Sequence, residues 1–183
     1  MAAGTFNVFA ASEIVGKVKF VGANAVGPQL TVEFPNVMFR PANAIGLIQE
    51  EWGQLTITGE VLVDATGVFG TVTHPDTGAV SPLTSQYYIG KGIVSIQLEG
   101  EVDYRDIGDV PTFEFTPDIQ TLPHFSSRYG VRAKDMEVVT EKNASLNIVM
   151  DEFTYENIML AFMGDTVVAD LDATIGEARA AAE

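Results

Sequence analysis

The amino-acid sequence predicts a mostly β protein, a β-sandwich or barrel with one short packed helix at about 154–163 and a long interaction loop at about 117–141. Three observations predict it. Apolar and polar residues alternate with period 2 along most of the chain, as half-buried strands require. Gly and Pro fall between the alternating segments at short, regular spacing, as in sandwiches and barrels. One segment has helical spacing instead. The 183 residues fit a single domain, 1–183, large enough to form a core without metal or disulfide help.

The clearest alternation runs from Val94 to Tyr104, where even positions are apolar or Gly and odd positions are Ser95, Gln97, Glu99, Glu101 and Asp103. One face of that strand is core and the other a row of acid. Gln29 to Phe34, Leu55 to Asp64, Thr112 to Thr116 and Ser145 to Asp151 repeat the pattern, and Val15 to Val21 and Val68 to Thr73 read as shorter strands. The separators include Gly22, Gly27-Pro28, Pro35, Pro41, Gly67, Pro75 to Gly78, Pro82, Gly108 to Pro111, Pro117 and Pro123.

For the helix, Thr154 is placed to cap, Phe153 and Ile158 to form a hydrophobic staple, and Glu156 to favour the positive end. Ile158, Ala161 and Phe162 share a face, and Gly164 follows as the stop. Gly176 to Glu183 is compatible with a helix but carries nothing that demands burial.

The segment Pro117 to Glu141 has weak periodicity and several turn formers, so it reads as a long loop. Its Leu122, Phe125, Tyr129 and Val131 are costly to leave in water, and Arg128, Arg132 and Lys134 lie among them. This predicts a contact arm for another subunit.

Composition excludes several functions. Twenty-five acidic residues stand against 10 basic, a net charge of −15, with no Lys/Arg cluster, so tight nucleic-acid binding is not expected. There is no cysteine, hence no disulfide, thiolate metal site or cysteine nucleophile. Met1 to Lys17 lacks a basic n-region and its apolar runs are far short of a membrane span, so no targeting segment or membrane insertion is expected.

Catalytic constellations are scarce. His74 sits in a turn-like THPDTG stretch, and His124 has no second histidine or cysteine beside it. Gly90-Lys91-Gly92 lacks phosphate-loop spacing, and the acidic stretch Asp170 to Glu177 misplaces the glycine and lacks the closing glutamate of a calcium loop. Glu99, Glu101 and Asp103 more simply make a solvated or channel-facing strand face than an acid/base pair. The sole Trp, Trp52, stands in an EEWG context where packing is expected, although Trp52, Tyr87, Tyr88 and Tyr104 are the candidates for an aromatic ligand platform. No enzyme activity, no cofactor and no metal are expected.

Two blocks resemble the major tail tube protein family of long-tailed phages and phage-derived particles. Gln86 to Gly164 contains QYYIGKGIVSIQ, then DIGDVPTFEF, the run LPHFSSRYGVRAKDMEVVTE and the ENIMLAFMG helix, similar to the family's first half. Gly16 to Thr73, with GEVLVDATGVFGTVT, is similar to its second half. Thus 1–80 resembles the C-terminal half and 81–164 the N-terminal half, in reversed order. Asp76 to Ser81 bridges the family's usual end to its usual start, and Ser81-Pro82-Leu83-Thr84 looks like a former amino terminus. The order implies a circular permutant, natural or engineered, with new termini opened in the family's middle segment, which is tolerated where such a break falls in an exposed loop.

The resemblance implies a structural virion protein, assembled in the host cytoplasm and carried in the tail. Its copies would form hexameric rings stacked into a tube, with a joined inner β-barrel through which DNA passes. The implied partners are other copies, tape measure and terminator proteins, and DNA in transient, non-specific passage. The channel wall must not hold DNA, so Glu99, Glu101, Asp103 and Glu114 are the expected lumen residues. Leu122, His124, Phe125, Arg128, Tyr129, Arg132 and Lys134 are the expected ring-stacking residues. The rival readings are a secretion-system tube, a tail terminator, or a monomeric ligand-binding β-barrel.

Overall fold

The computed structural model describes residues 6–24, 26–41, 52–75, 88–126, 128, 130 and 132–166. Among the described residues the protein is mostly β with one short helix, as expected. The strands are β1 (Phe6–Asn7), β2 (Ile14–Gly22), β3 (Thr31–Pro41), β4 (Leu55–Val61), β5 (Thr71–Thr73), β6 (Gly92–Leu98), β7 (Arg105–Asp106), β8 (Thr112–Ser126), β9 (Ala133–Met150) and β10 (Asp165–Thr166), with helix α1 (Tyr155–Ala161) between the last two. Seven strands form one antiparallel path in the order β7-β6-β2-β3-β4-β9-β8, and β5 joins the same sheet on β3.

The sandwich or barrel expected from the pattern is this one sheet curled over on itself. Phe20 of β2 stacks on Phe113 of β8, with ring centroids 5.6 Å apart, although three strands separate β2 from β8 in the sheet. Phe34 of β3 stacks on Phe115 of β8 at 5.1 Å. The enclosed core follows the period-2 pattern: Val18, Val37, Phe39, Leu55, Ile57, Val61, Val94, Ile96, Leu146, Ile148 and Met150 are all buried. Each such side chain contributes roughly 1.5–3 kcal/mol by leaving water.

Prolines that read as separators lie inside strands where the ladder tolerates them. Pro35 occupies the irregularity where β3 slips against β2 between Gly16 and Val18. Pro117 and Pro123 sit in β8, the margin strand, where a missing N–H costs least.

The helix is capped as the sequence predicts, with Thr154 Oγ1 accepting from the Asn157 amide at 3.2 Å. Phe153, expected to staple, stays exposed. The stop differs in detail. Met163, not Gly164, takes the left-handed conformation at φ 48°, and the amides of Met163 and Gly164 donate back to the carbonyls of Leu160 and Met159. Gly164 is needed because the Phe6 ring lies where its Cβ would stand. The amides of Phe9 and Ala11 donate to the Phe162 and Met163 carbonyls, and β1 pairs with β10, so the amino-terminal segment straps the helix end.

Candidate assembly surfaces

The largest correction concerns 117–141. It is not a loop. β8 and β9 pair continuously from Thr112↔Val149 to Ser126↔Ala133, with irregularities at Gln120/Thr121 and His124/Phe125. Val61 of β4 pairs with Ala144, which in turn pairs with Pro117, and beyond that line no strand flanks the hairpin among the described residues. From Pro117 to Ser126 it therefore projects about 30 Å as a two-stranded arm.

A two-stranded ribbon has no core side, and this one exposes apolar groups on both faces. Leu122, opposite Val138, and Met136, opposite His124, share one face and are 64%, 50% and 57% exposed. Ile119 and Phe125 project from the other face and are exposed too. Apolar area concentrated on a projecting ribbon is costly to leave in water.

The arm's polar groups divide into satisfied and available ones. His124 Nδ1 lies 2.6 Å from Asp135 Oδ1, and Lys134 Nζ lies 2.7 Å from Glu137. Glu137 also accepts from the Thr121 hydroxyl at 2.7 Å, and the Lys134 and Thr121 hydrogen bonds hold its carboxyl below the usual glutamate range. His124 and Lys134, expected as stacking groups, thus already have partners within the arm. Arg128 and Arg132 are in no ion pair among the described residues, and the Arg132 guanidinium stands 4.8 Å from the centroid of Phe125. Tyr129 lies outside the described residues.

The expected acid row is also corrected. β6 ends at Leu98, and Glu99-Gly100 forms a turn with Gly100 at φ 92°, so Glu99, Glu101 and Asp103 do not stand on one strand face. The turn is tightly held. Glu101 Oε2 accepts from the Leu98 amide at 2.9 Å, and Gln97 Nε2 donates to the carbonyls of Glu101 and Val102.

Glu114 does stand on a strand face. The rings of Phe113 and Phe115 stack on Phe20 and Phe34, so Glu114 lies on the opposite face, where it accepts from Asn147 Nδ2 at 3.3 Å. Register places Thr116, Asp118, Asn143, Ser145, Thr58 and Glu60 on that same face. From Thr112 to Asp118, Asn143 to Val149 and Thr56 to Glu60 it carries no Lys or Arg. The first cation on the next strand is Arg40, engaged with Glu60 at 3.1 Å. Asp118 was missed in the sequence because it follows Pro117 in a segment with weak alternation, and Asn143 and Asn147 because the strand pairing that sets them beside Glu114 and Asp118 is not written in their own segment.

The aromatic platform does not assemble. Trp52, expected to pack, is 94% exposed, Tyr88 lines an apolar groove of about 340 Å³ with Phe20, Phe34 and Phe113, and neither Trp52 nor Tyr104 reaches that groove. Tyr87 and the calcium-like stretch 170–177 lie outside the described residues. His74 is exposed after β5. Among the described residues no group of three His, Cys, Asp or Glu could hold a metal ion, and no helix is long and apolar enough to cross a membrane.

Among the described residues, fold and surfaces together define a class: a β protein built on one eight-stranded sheet, with β8 at its margin and a projecting hairpin arm. Residues 87–182, just over half of the chain, match the family described as protein of unknown function UCP028589, and the chain belongs to that family. No curated protein matches the chain, and no solved structure does.

Proposed function

We propose that this protein is a self-assembling structural subunit of the tail-tube type, whose copies form hexameric rings that stack into a channel for DNA. The observation that carries the reading is the arm: a ribbon about 30 Å long whose Leu122, Val138 and Met136 are uncovered by the described chain. Copies of the chain can cover it. The margin strand supports the same reading. Among the described residues β8 has no partner on its outer side from Thr112 onward, the kind of edge that closure into a shared barrel removes.

In this reading the lumen wall is the Lys- and Arg-free face of β8, β9 and β4, with Glu114, Asp118 and Glu60 among hydroxyl and amide side chains. Such a wall repels phosphates and gives passing DNA no cation to bind.

The test is negative-stain electron microscopy of the purified chain beside a variant whose residues 119–142 are replaced by an Asn-Gly turn. The full chain forms long tubes and the shortened chain gives rings or monomers. A full chain that elutes as a compact monomer at high concentration favours a binding module instead, and long tubes from the shortened chain remove the arm from assembly.

A further inference from the structure

We infer that the tip of the arm seats in a groove at the opposite end of a second copy, beside the turn that follows β6; this rests on the reading of the arm as an assembly element. The strand path supplies the geometry. β6 and β8 are five antiparallel steps apart, so they run in opposite directions. The arm tip lies past the end of β8 and the turn past the end of β6, hence at opposite ends of the sheet. Copies stacked head to tail bring one to the other, and such a contact is heterologous and propagates.

The receiving surface has the matching chemistry. A groove of about 300 Å³ opens between β2, β6 and Pro35, with Val15 and Leu98 in its walls, Glu99 and Glu101 at its rim and Lys17 as the one cation among its described lining residues. Next to it, Val102 is 88% exposed and Asp103 is exposed, on backbone that Gln97 Nε2 holds at 2.8–2.9 Å. An apolar group flanked by carboxylates is thus presented on a fixed turn. The tip that would meet it bears Phe125 with Arg132 over its ring, and Arg128, neither arginine being in an ion pair among the described residues. The occupant is therefore a second copy of this chain, matched by charge and by the length of the arm.

Charge exchange tests the contact. Glu99→Lys with Asp103→Lys leaves the turn's hydrogen bonds intact, since these use Glu101 and Gln97. That variant and Arg128→Glu with Arg132→Glu are each expected to shorten tubes at least tenfold. The chain carrying all four changes is expected to regain wild-type length. Melting curves confirm that each variant is folded. If the turn variant assembles at full length while the tip variant does not, or if the fourfold variant stays short, the arm seats elsewhere and the inference is overturned. If the tip variant also assembles at full length, it is overturned together with the stacking role of the arm's charges. A wild-type chain that never assembles overturns the tube reading itself.

Discussion

Arg105 donates from Nη1 to Asn157 Oδ1 at 2.8 Å, bolting β7, the last strand of one sheet margin, to the first turn of α1. Asn157 is fully buried, and its Nδ2 donates to the carbonyls of Ile107 at 2.9 Å and Glu152 at 3.0 Å. Both donors and the acceptor of the amide are used, which is what makes a buried amide tolerable.

Asn157→Leu keeps the branched heavy-atom shape and removes all three bonds, leaving two carbonyls and a guanidinium without this partner. The expected loss is about 2–4 kcal/mol, measured by urea unfolding. A loss under about 1 kcal/mol would show that the network is dispensable.

On the proposed lumen wall, Glu114→Lys with Asp118→Lys places two cations on the face of β8 that bears neither Lys nor Arg. Tubes are expected to keep their length while DNA passage slows, read as delayed ejection from particles carrying the variant. Unchanged ejection kinetics would take this face out of the channel. The same reversal at Glu99 and Asp103 should act on stacking instead, so the two pairs separate the two surfaces.

Asp64 gives a pH prediction. Its Oδ1 accepts from the Val68 amide at 2.9 Å and from the Thr66 hydroxyl at 2.7 Å, and these bonds hold the carboxyl below its ordinary range. A folded-state pKa below the unfolded one contributes stability that is present above the ordinary aspartate pKa, about 3.9, and lost as pH falls through the lower folded value. In a carboxyl NMR titration Asp64 should protonate later on acidification than ordinary aspartates do. Asp64→Ala should flatten the acid-side fall in stability. Titration of Asp64 together with the exposed aspartates would refute the turn's role.

The core and most of the sheet were legible in the residues, because a half-buried strand writes its environment into its own alternation. Leu55, Ile57, Leu146, Ile148 and Met150 are every second residue of their segments and are all buried. The Thr154 cap was legible for an equally local reason: its hydroxyl meets an amide three residues on.

The arm was not legible, since a ribbon wet on both faces imposes no alternation, and Pro117 and Pro123 mimic breaks that a margin strand absorbs. The acid row failed in the opposite way. Its alternation is genuine, but β6 stops at Leu98, where Gly100 and the Gln97 side chain turn the chain. The sequence by itself determined which residues of the alternating strands leave water, because that depends on each side chain's own chemistry and its spacing along one strand, whereas Trp52 and Phe153, outside those strands, stay exposed. Only the tertiary structure decided where strands end, that Glu114 shares a face with Asn147 and Asp118, and that the arm tip and the acid turn lie at opposite ends. Those relations are set by strand order and register, which join residues far apart in the chain.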